Sequence, residues 1–205
     1  LTQHFSNFLI HELNLKKGDR IAIQSPNVLQ YPVALFGAIR SGIIVVNTNP
    51  LYTPDEMKHQ FKDSGCKAIL ILSNFAHNLE KIIDETEIEH VIVSDMGDML
   101  GPVKGTIVNF VVKYIKKMVP SYSLKSHHTF KSALAKGKKY EYNQVEIQPN
   151  DIAFLQYTGG TTGVSKGAML SHKNVISNVI QVSAWMDILL EERKEIVITA
   201  LPLYH

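Results

Sequence analysis

The 205-residue sequence predicts an α/β fold, a mostly parallel sheet layered with helices, and two observations carry that expectation. Short β-branched and aliphatic runs alternate with longer segments whose apolar residues recur at helical spacing. Several of the runs are apolar throughout, as in Ile69-Leu70-Ile71-Leu72, which is the composition of a central parallel strand covered on both faces.

In chain order, a strand is expected at Arg20–Gln24, a helix over Val28–Arg40 and a strand at Ile43–Val46. The next helix, Asp55–Ser64, carries its own boundary signals. Thr53 can cap it, Pro54 suits its first turn, Glu56 completes a capping box and Gly65 can end it. A strand at Ala68–Leu72, a helix over Phe75–Glu85 and a strand at His90–Ser94 follow. Residues 95–150 break the alternation and read as an irregular, insertion-like surface region, with Lys136-Gly137-Lys138-Lys139 as a helix end and loop. The pattern resumes with strands at Ile152–Tyr157 and Ala168–Leu170, a helix over Asn174–Leu190 and a strand at Ile196–Ala200. The chain therefore divides into an α/β unit at 1–94, the insertion at 95–150 and a second unit at 151–205.

Composition narrows the function classes. With 45% hydrophobic residues, 20% charged residues and a net charge of +2, the chain reads as globular and lacks the basic stripe of a nucleic-acid reader. Its one cysteine, Cys66, excludes an internal disulfide and reads as a small buried residue. The nine histidines are scattered, only His127 and His128 being adjacent, so no metal ligand is assigned.

One segment inside the insertion, residues 106–118, has helical periodicity. Thr106, Asn109, Lys113, Lys116 and Lys117 fall within a wedge of about 100°, and the remaining positions are apolar. Such a helix could lie in a membrane interface with its lysines near anionic headgroups, or pack on a protein core with its lysines in water. It is too short to span a bilayer, so any membrane contact is expected to be peripheral.

Residues 157–171, Tyr-Thr-Gly-Gly-Thr-Thr-Gly-Val-Ser-Lys-Gly-Ala-Met-Leu-Ser, place glycines, hydroxyls and a lysine between two apolar runs. Glycine lets successive backbone N–H groups approach and surround an anion. Thr158, Thr161 and Thr162 add donors, and Lys166 supplies a point charge suited to a polyphosphate. The spacing is not that of a Walker A loop, which needs Gly-Lys-Ser/Thr opening a helix, since Ser165 precedes the lysine and Gly167 follows it. It does not fit a kinase glycine-rich loop either. A plain inter-strand turn is the competing reading.

This loop closely resembles the signature of the adenylate-forming superfamily of acyl-CoA synthetases, luciferases and peptide-synthetase adenylation domains. Gly159 stands where serine is usual, and Val164-Ser165 where a proline is common. The Gly159 form resembles bacterial long-chain fatty acid:CoA ligases, as do Asn47-Thr48-Asn49-Pro50-Leu51-Tyr52-Thr53-Pro54 and the closing Leu201-Pro202-Leu203-Tyr204-His205. The resemblance implies the N-terminal portion of the large domain of such an enzyme, without its C-terminal lid domain. It implies that a fatty acid is activated by ATP, with Mg²⁺, to acyl-adenylate and pyrophosphate, and that coenzyme A then displaces AMP. Thr158, Gly159, Gly160, Thr161, Thr162 and Gly163 would then wrap the phosphates, Lys166 would act catalytically on the departing pyrophosphate, and His205 would lie near the acyl carboxylate. The 205 residues alone are expected to be inactive. A cytoplasmic location is expected, with possible contact at the inner face of the membrane. An adenylating ligase for another acid and a non-catalytic lipid-binding module remain the alternatives.

Overall fold

The computed structural model describes residues 1–158, 165–187, 191 and 194–204. Among these, seven strands form one sheet: β1 (Arg20–Gln24), β2 (Ile44–Thr48), β3 (Ala68–Leu72), β4 (His90–Ser94), β5 (His128–Thr129), β6 (Ile152–Thr158) and β7 (Lys166–Ser171). Their spatial order is β5-β4-β3-β1-β2-β6-β7. All neighbours pair in parallel except β6 and β7, which form an antiparallel hairpin at one edge. The α/β expectation is borne out, and β1, β3 and β4 have the bounds read from the sequence.

Strand pleat divides the core into two layers. Ile21 and Ile23 of β1 face one way, into a cluster with Phe5, Phe8, Tyr31, Ala34 and Phe130. Ala22 between them faces the opposite cluster, with Val46, Met57, Phe61, Ile69 and Ile71. Cys66 sits in that second cluster as expected, and burial pushes its thiol up to about 12.

The helices covering the sheet are α1 (Thr2–Asn7), which continues through a wider turn at Phe8–Glu12, α2 (Gln30–Arg40) and α3 (Pro54–Ser64). The capping box of α3 forms as read: Thr53 accepts from the Glu56 N–H, the Glu56 carboxylate accepts from the Thr53 N–H at 2.8 Å, and Gly65 ends the helix at φ 60°. The helix expected over Phe75–Glu85 is instead broken. Only α4 (Ala76–Glu80) is α-helical, between tight 3-10 turns at Ser73–Phe75 and Ile83–Glu85. Ile82 lies past the end of α4 and is buried in the same core cluster as Leu79.

The expected insertion contains more of the sheet and core than its polarity suggests. Its helix α5 (Pro102–Phe110) runs into a wider turn at Val111–Ile115. Beyond it, β5 joins the sheet edge and α6 (Phe130–Gly137) seats Phe130 and Ala133, both fully buried, against α1. Thr129 caps α6 by accepting from the Ser132 N–H at 3.1 Å. The helix ends at Gly137, within the expected Lys-Gly-Lys-Lys stretch, and Gly137 meets the α1 backbone so closely that a Cβ there would overlap the His4 carbonyl oxygen.

The orientation of α5 also differs from the reading. Asn109, assigned to the polar wedge, faces the protein and accepts from the Gly97 N–H at 2.7 Å, with Gly105 buried beside it. Val103, Ile107, Phe110 and Tyr114 form a stripe on the outer side and are exposed at 70%, 57%, 55% and 60%. The backbone N–H of Gly97 fixes which face turns inward, and that selection is invisible to periodicity.

Past the hairpin, α7 (His172–Met186) opens with a capping box in which Ser171 and Asn174 satisfy each other's backbone N–H groups. The strand expected at Ile196–Ala200 does not form. A ladder needs a neighbouring backbone, and among the described residues this segment has none. Instead the Asn27 side chain donates to the carbonyls of Thr199 and Leu201 at 3.1 and 2.8 Å.

Candidate functional site

Parallel strands end together, and the loops that leave their carboxyl ends gather on one edge of the sheet, where α/β folds bind ligands. The hairpin of β6 and β7 brings its open end to this edge. Tyr157 pairs with Gly167 and Thr158 with Lys166, so the cationic side chain starts one strand directly opposite the last hydroxyl of the other. Both Thr158 and Lys166 are exposed. Ser165 closes the neck by donating from Oγ to the Thr158 carbonyl at 3.1 Å. Among the described residues Lys166 has no ion-pair partner, which leaves its charge available to an anion. Gly159, Gly160, Thr161, Thr162 and Gly163, assigned to the phosphates, and His205 lie outside the described residues.

A second group of residues, which sequence reading missed, ties the same strands to the end of the chain. Asn47 and Gln156 are register partners on β2 and β6, and the Asn47 amide donates to Gln156 Oε1 at 3.0 Å. Gln156 in turn donates to the Tyr204 carbonyl at 3.0 Å. The Tyr31 hydroxyl of α2 lies 2.8 Å from Asn47 Oδ1 and 2.7 Å from the Leu203 carbonyl, and as a single donor it serves one of them at a time. Burial holds the Tyr31 phenol well above its usual range, so it stays a neutral donor. The N–H of Leu203 is taken by Asn27 Oδ1 at 2.8 Å. The signal available in the sequence was polar Asn47 and Gln156 at the carboxyl ends of apolar runs, a place where packing has no use for an amide.

The two outlying segments that supported the resemblance thus converge. Pro50 and Leu51 line an open hollow with Pro26, Phe75, Pro202 and Tyr204, on the edge that carries the hairpin neck.

The sequence matches the family of AMP-binding enzymes over residues 1–205. The chain belongs to the AMP-binding enzyme family. It is 59% identical over 201 residues to a long-chain-fatty-acid–CoA ligase of Escherichia coli O6:H1, which covers 98% of the chain and 36% of that relative. The corresponding ligase of Haemophilus influenzae is 52% identical over 203 residues, with the same coverage. The chain therefore spans about a third of the length of the curated relatives it matches. A crystal structure of a long-chain-fatty-acid–CoA ligase from Archaeoglobus fulgidus superposes on all of the chain with a TM-score of 0.76 at 22% identity, over 34% of its own length. ATP-bound MatB from Rhodopseudomonas palustris also covers the whole chain, with a TM-score of 0.73 at 24% identity and 34% of its own length matched. At those identities the structural likeness establishes the fold. The superfamily resemblance read from the loop is borne out, and this AMP-binding chain has the mostly parallel sheet of the family's N-terminal region.

Proposed function

We propose that the protein carrying this chain is an ATP-dependent, AMP-forming long-chain fatty acid:CoA ligase. The observation that carries this reading is the 59% identity to such a ligase along 98% of the chain. In this reading residues 1–94, 95–150 and 151–205 are parts of one large domain, and the lid domain and ribose contacts come from the region of the relatives that the chain does not span.

The chemistry joins two anions. A fatty acid carboxylate oxygen forms a bond to the α-phosphorus of ATP, the bond to the bridging oxygen breaks, and pyrophosphate leaves with the electron pair. The thiol of coenzyme A then attacks the acyl carbon, loses its proton and displaces AMP, leaving the thioester. Repulsion between the reactants and charge on the leaving group both call for fixed cations and backbone donors. Thr158 and Lys166, opposed across the hairpin neck, support a phosphate-binding role for the loop, with Gly159, Gly160, Thr161, Thr162 and Gly163 as its donors. Lys166 is assigned to the departing pyrophosphate. Mg²⁺ enters with ATP as part of the substrate. His205 is assigned to the acyl carboxylate, and the hydrogen bonds to the carbonyls of Leu203 and Tyr204 would hold the segment before it.

The test is acid-dependent exchange of pyrophosphate into ATP by the complete protein, with palmitate, octanoate and acetate. Fastest exchange with palmitate is expected. Exchange favouring acetate would replace the long-chain assignment by another acid ligase. ATP binding without exchange for any acid would favour a non-catalytic module.

A cytoplasmic protein that touches the inner face of the membrane is the proposed location. Among the described residues no helix is long and apolar enough to cross a membrane. Support for peripheral contact comes from α5 and the turn after it, whose outward stripe of Val103, Ile107, Phe110 and Tyr114 is flanked by Lys104 on one side and Lys113 on the other. No aspartate or glutamate occurs between Asp98 and Glu141. An apolar stripe rimmed by lysines matches an anionic lipid surface in both hydrophobicity and charge. The complete protein is expected to float with phosphatidylglycerol vesicles, and Lys113→Glu, Lys116→Glu and Lys117→Glu together should abolish flotation. Unchanged flotation of the triple variant would remove the electrostatic contact.

A further inference from the structure

Helix α3 does more than cover the sheet. Its residues 59 and 63 are one turn apart and so share a face, and that face meets the hairpin neck at two points. His59 Nε2 lies 3.0 Å from the Ser165 carbonyl oxygen; a carbonyl can only accept, so the imidazole donates. The carboxylate of Asp63 accepts from the Tyr157 hydroxyl at 2.5 Å. One contact is therefore made just before Lys166 and the other one residue before Thr158, on opposite strands of the neck.

The helix is itself fixed. Its capping box holds the N-terminal end, and Met57 and Phe61 are fully buried beneath it. Gln60, between the two contact residues, donates to the Asn47 carbonyl at 2.9 Å and so ties α3 to β2. On the other side of the neck, Gly167 lies flat against the Tyr157 ring, where a Cβ would come within 2.9 Å of ring carbon Cε2. Burial, followed by the hydrogen bond to Asp63 and its charge, raises the Tyr157 phenol well above its usual range.

We propose that His59 and Asp63 are positioning residues for the phosphate loop, bracing the two strands of its neck so that Thr158 and Lys166 are held ready for a triphosphate. The proposal rests on the ligase reading only for what the loop binds; the brace itself is a property of this chain. Neither side chain needs to touch nucleotide. Their effect is to remove freedom that the neck would otherwise lose on binding, a preorganisation that appears as affinity.

The experiment compares His59→Leu, His59→Gln, Asp63→Ala and Asp63→Asn in the complete protein. MgATP affinity is measured by titration calorimetry, and the Michaelis constants for ATP and palmitate by exchange. His59→Leu and Asp63→Ala should each weaken MgATP binding about tenfold, the loss that one such hydrogen bond supports. The palmitate constant should stay unchanged. The Gln and Asn variants keep a donor at 59 and an acceptor at 63, and should recover most of the affinity. Unchanged MgATP affinity in His59→Leu and Asp63→Ala would overturn the brace, and so would parallel losses for ATP and palmitate, which would mark a general loosening of the fold. If the unaltered protein binds MgATP yet exchanges with no acid, the ligase reading fails and the affinity comparison still decides the brace. No MgATP binding by the unaltered protein would sink both.

Discussion

Replacing Lys166 by alanine should lower kcat/KM for ATP in the exchange reaction by about 10² to 10³, the range seen when one fixed group that stabilises developing charge is removed. The argument combines position with independence. Lys166 begins β7 directly across from Thr158, its side chain is exposed, and no carboxylate among the described residues competes for it. The fold therefore does not depend on its charge, and the variant should melt with the unaltered protein. That separates a lost interaction with substrate from a lost structure. Lys166→Arg should recover only part of the rate, because a planar fork cannot occupy the place of a compact ammonium group. Both variants should be measured over a range of ATP concentrations. A fall in kcat at saturating ATP would locate the interaction in the transition state, whereas a change confined to KM would make the lysine a ground-state anchor. Activity within about threefold of the unaltered enzyme would remove Lys166 from the chemistry altogether.

Gly137→Ala should destabilise the protein by about 3 kcal/mol, at the upper end for an overpacked site. On helix propensity alone the sign would be opposite, since alanine in place of glycine ordinarily favours a helix by about 1 kcal/mol. The contact decides between the two effects. A Cβ at 137 would overlap the His4 carbonyl oxygen and come within 2.9 Å of the Phe8 nitrogen. Both are backbone atoms of the α1 segment and cannot rotate aside. The same junction holds Asn7, whose amide lies 3.1 Å from the Gly137 carbonyl and 2.8 Å from that of Tyr140, so moving α6 away would also disturb those hydrogen bonds. Urea unfolding followed by circular dichroism is the measurement. A midpoint that holds or rises would mean that α1 and α6 can separate without cost.

How much of this was legible in the sequence follows from how local each cause is. Strands β1, β3 and β4 are short apolar runs between breakers and were read to the residue. The capping box of α3 is a four-residue pattern and was read in full. Strand β2 was cut short because Asn47 and Thr48 look like a loop, although both are buried in the finished sheet. Segment 128–137 lies within residues 120–150, which read as polar and basic surface; Phe130 and Ala133 become core only when α1 arrives from more than a hundred positions away. The same holds at the site. The loop and its lysine are contiguous and stand out, while Tyr31, Asn47, Gln156, His59 and Asp63 acquire a role only through partners on other elements. A polar residue closing an apolar run was the one clue, and it names the residue without naming its partner.

The pairing of β2 with β6 sets a timetable. Val45 is the register partner of Phe154, while β1, β2, β3 and β4 are all complete by Ser94. As the chain leaves the ribosome, the four-stranded part can form first, with the outer edge of β2 bare until β6 appears. Between Ser94 and Ile152 lie 57 residues, which at about 5–20 residues per second represent roughly 3–11 s of synthesis. During that interval an apolar edge, Ile44-Val45-Val46, offers free backbone groups to any other strand. The hairpin that carries Lys166 is what closes this edge, so substitutions that slow its docking should reduce the yield of soluble protein even where the folded product is fully stable.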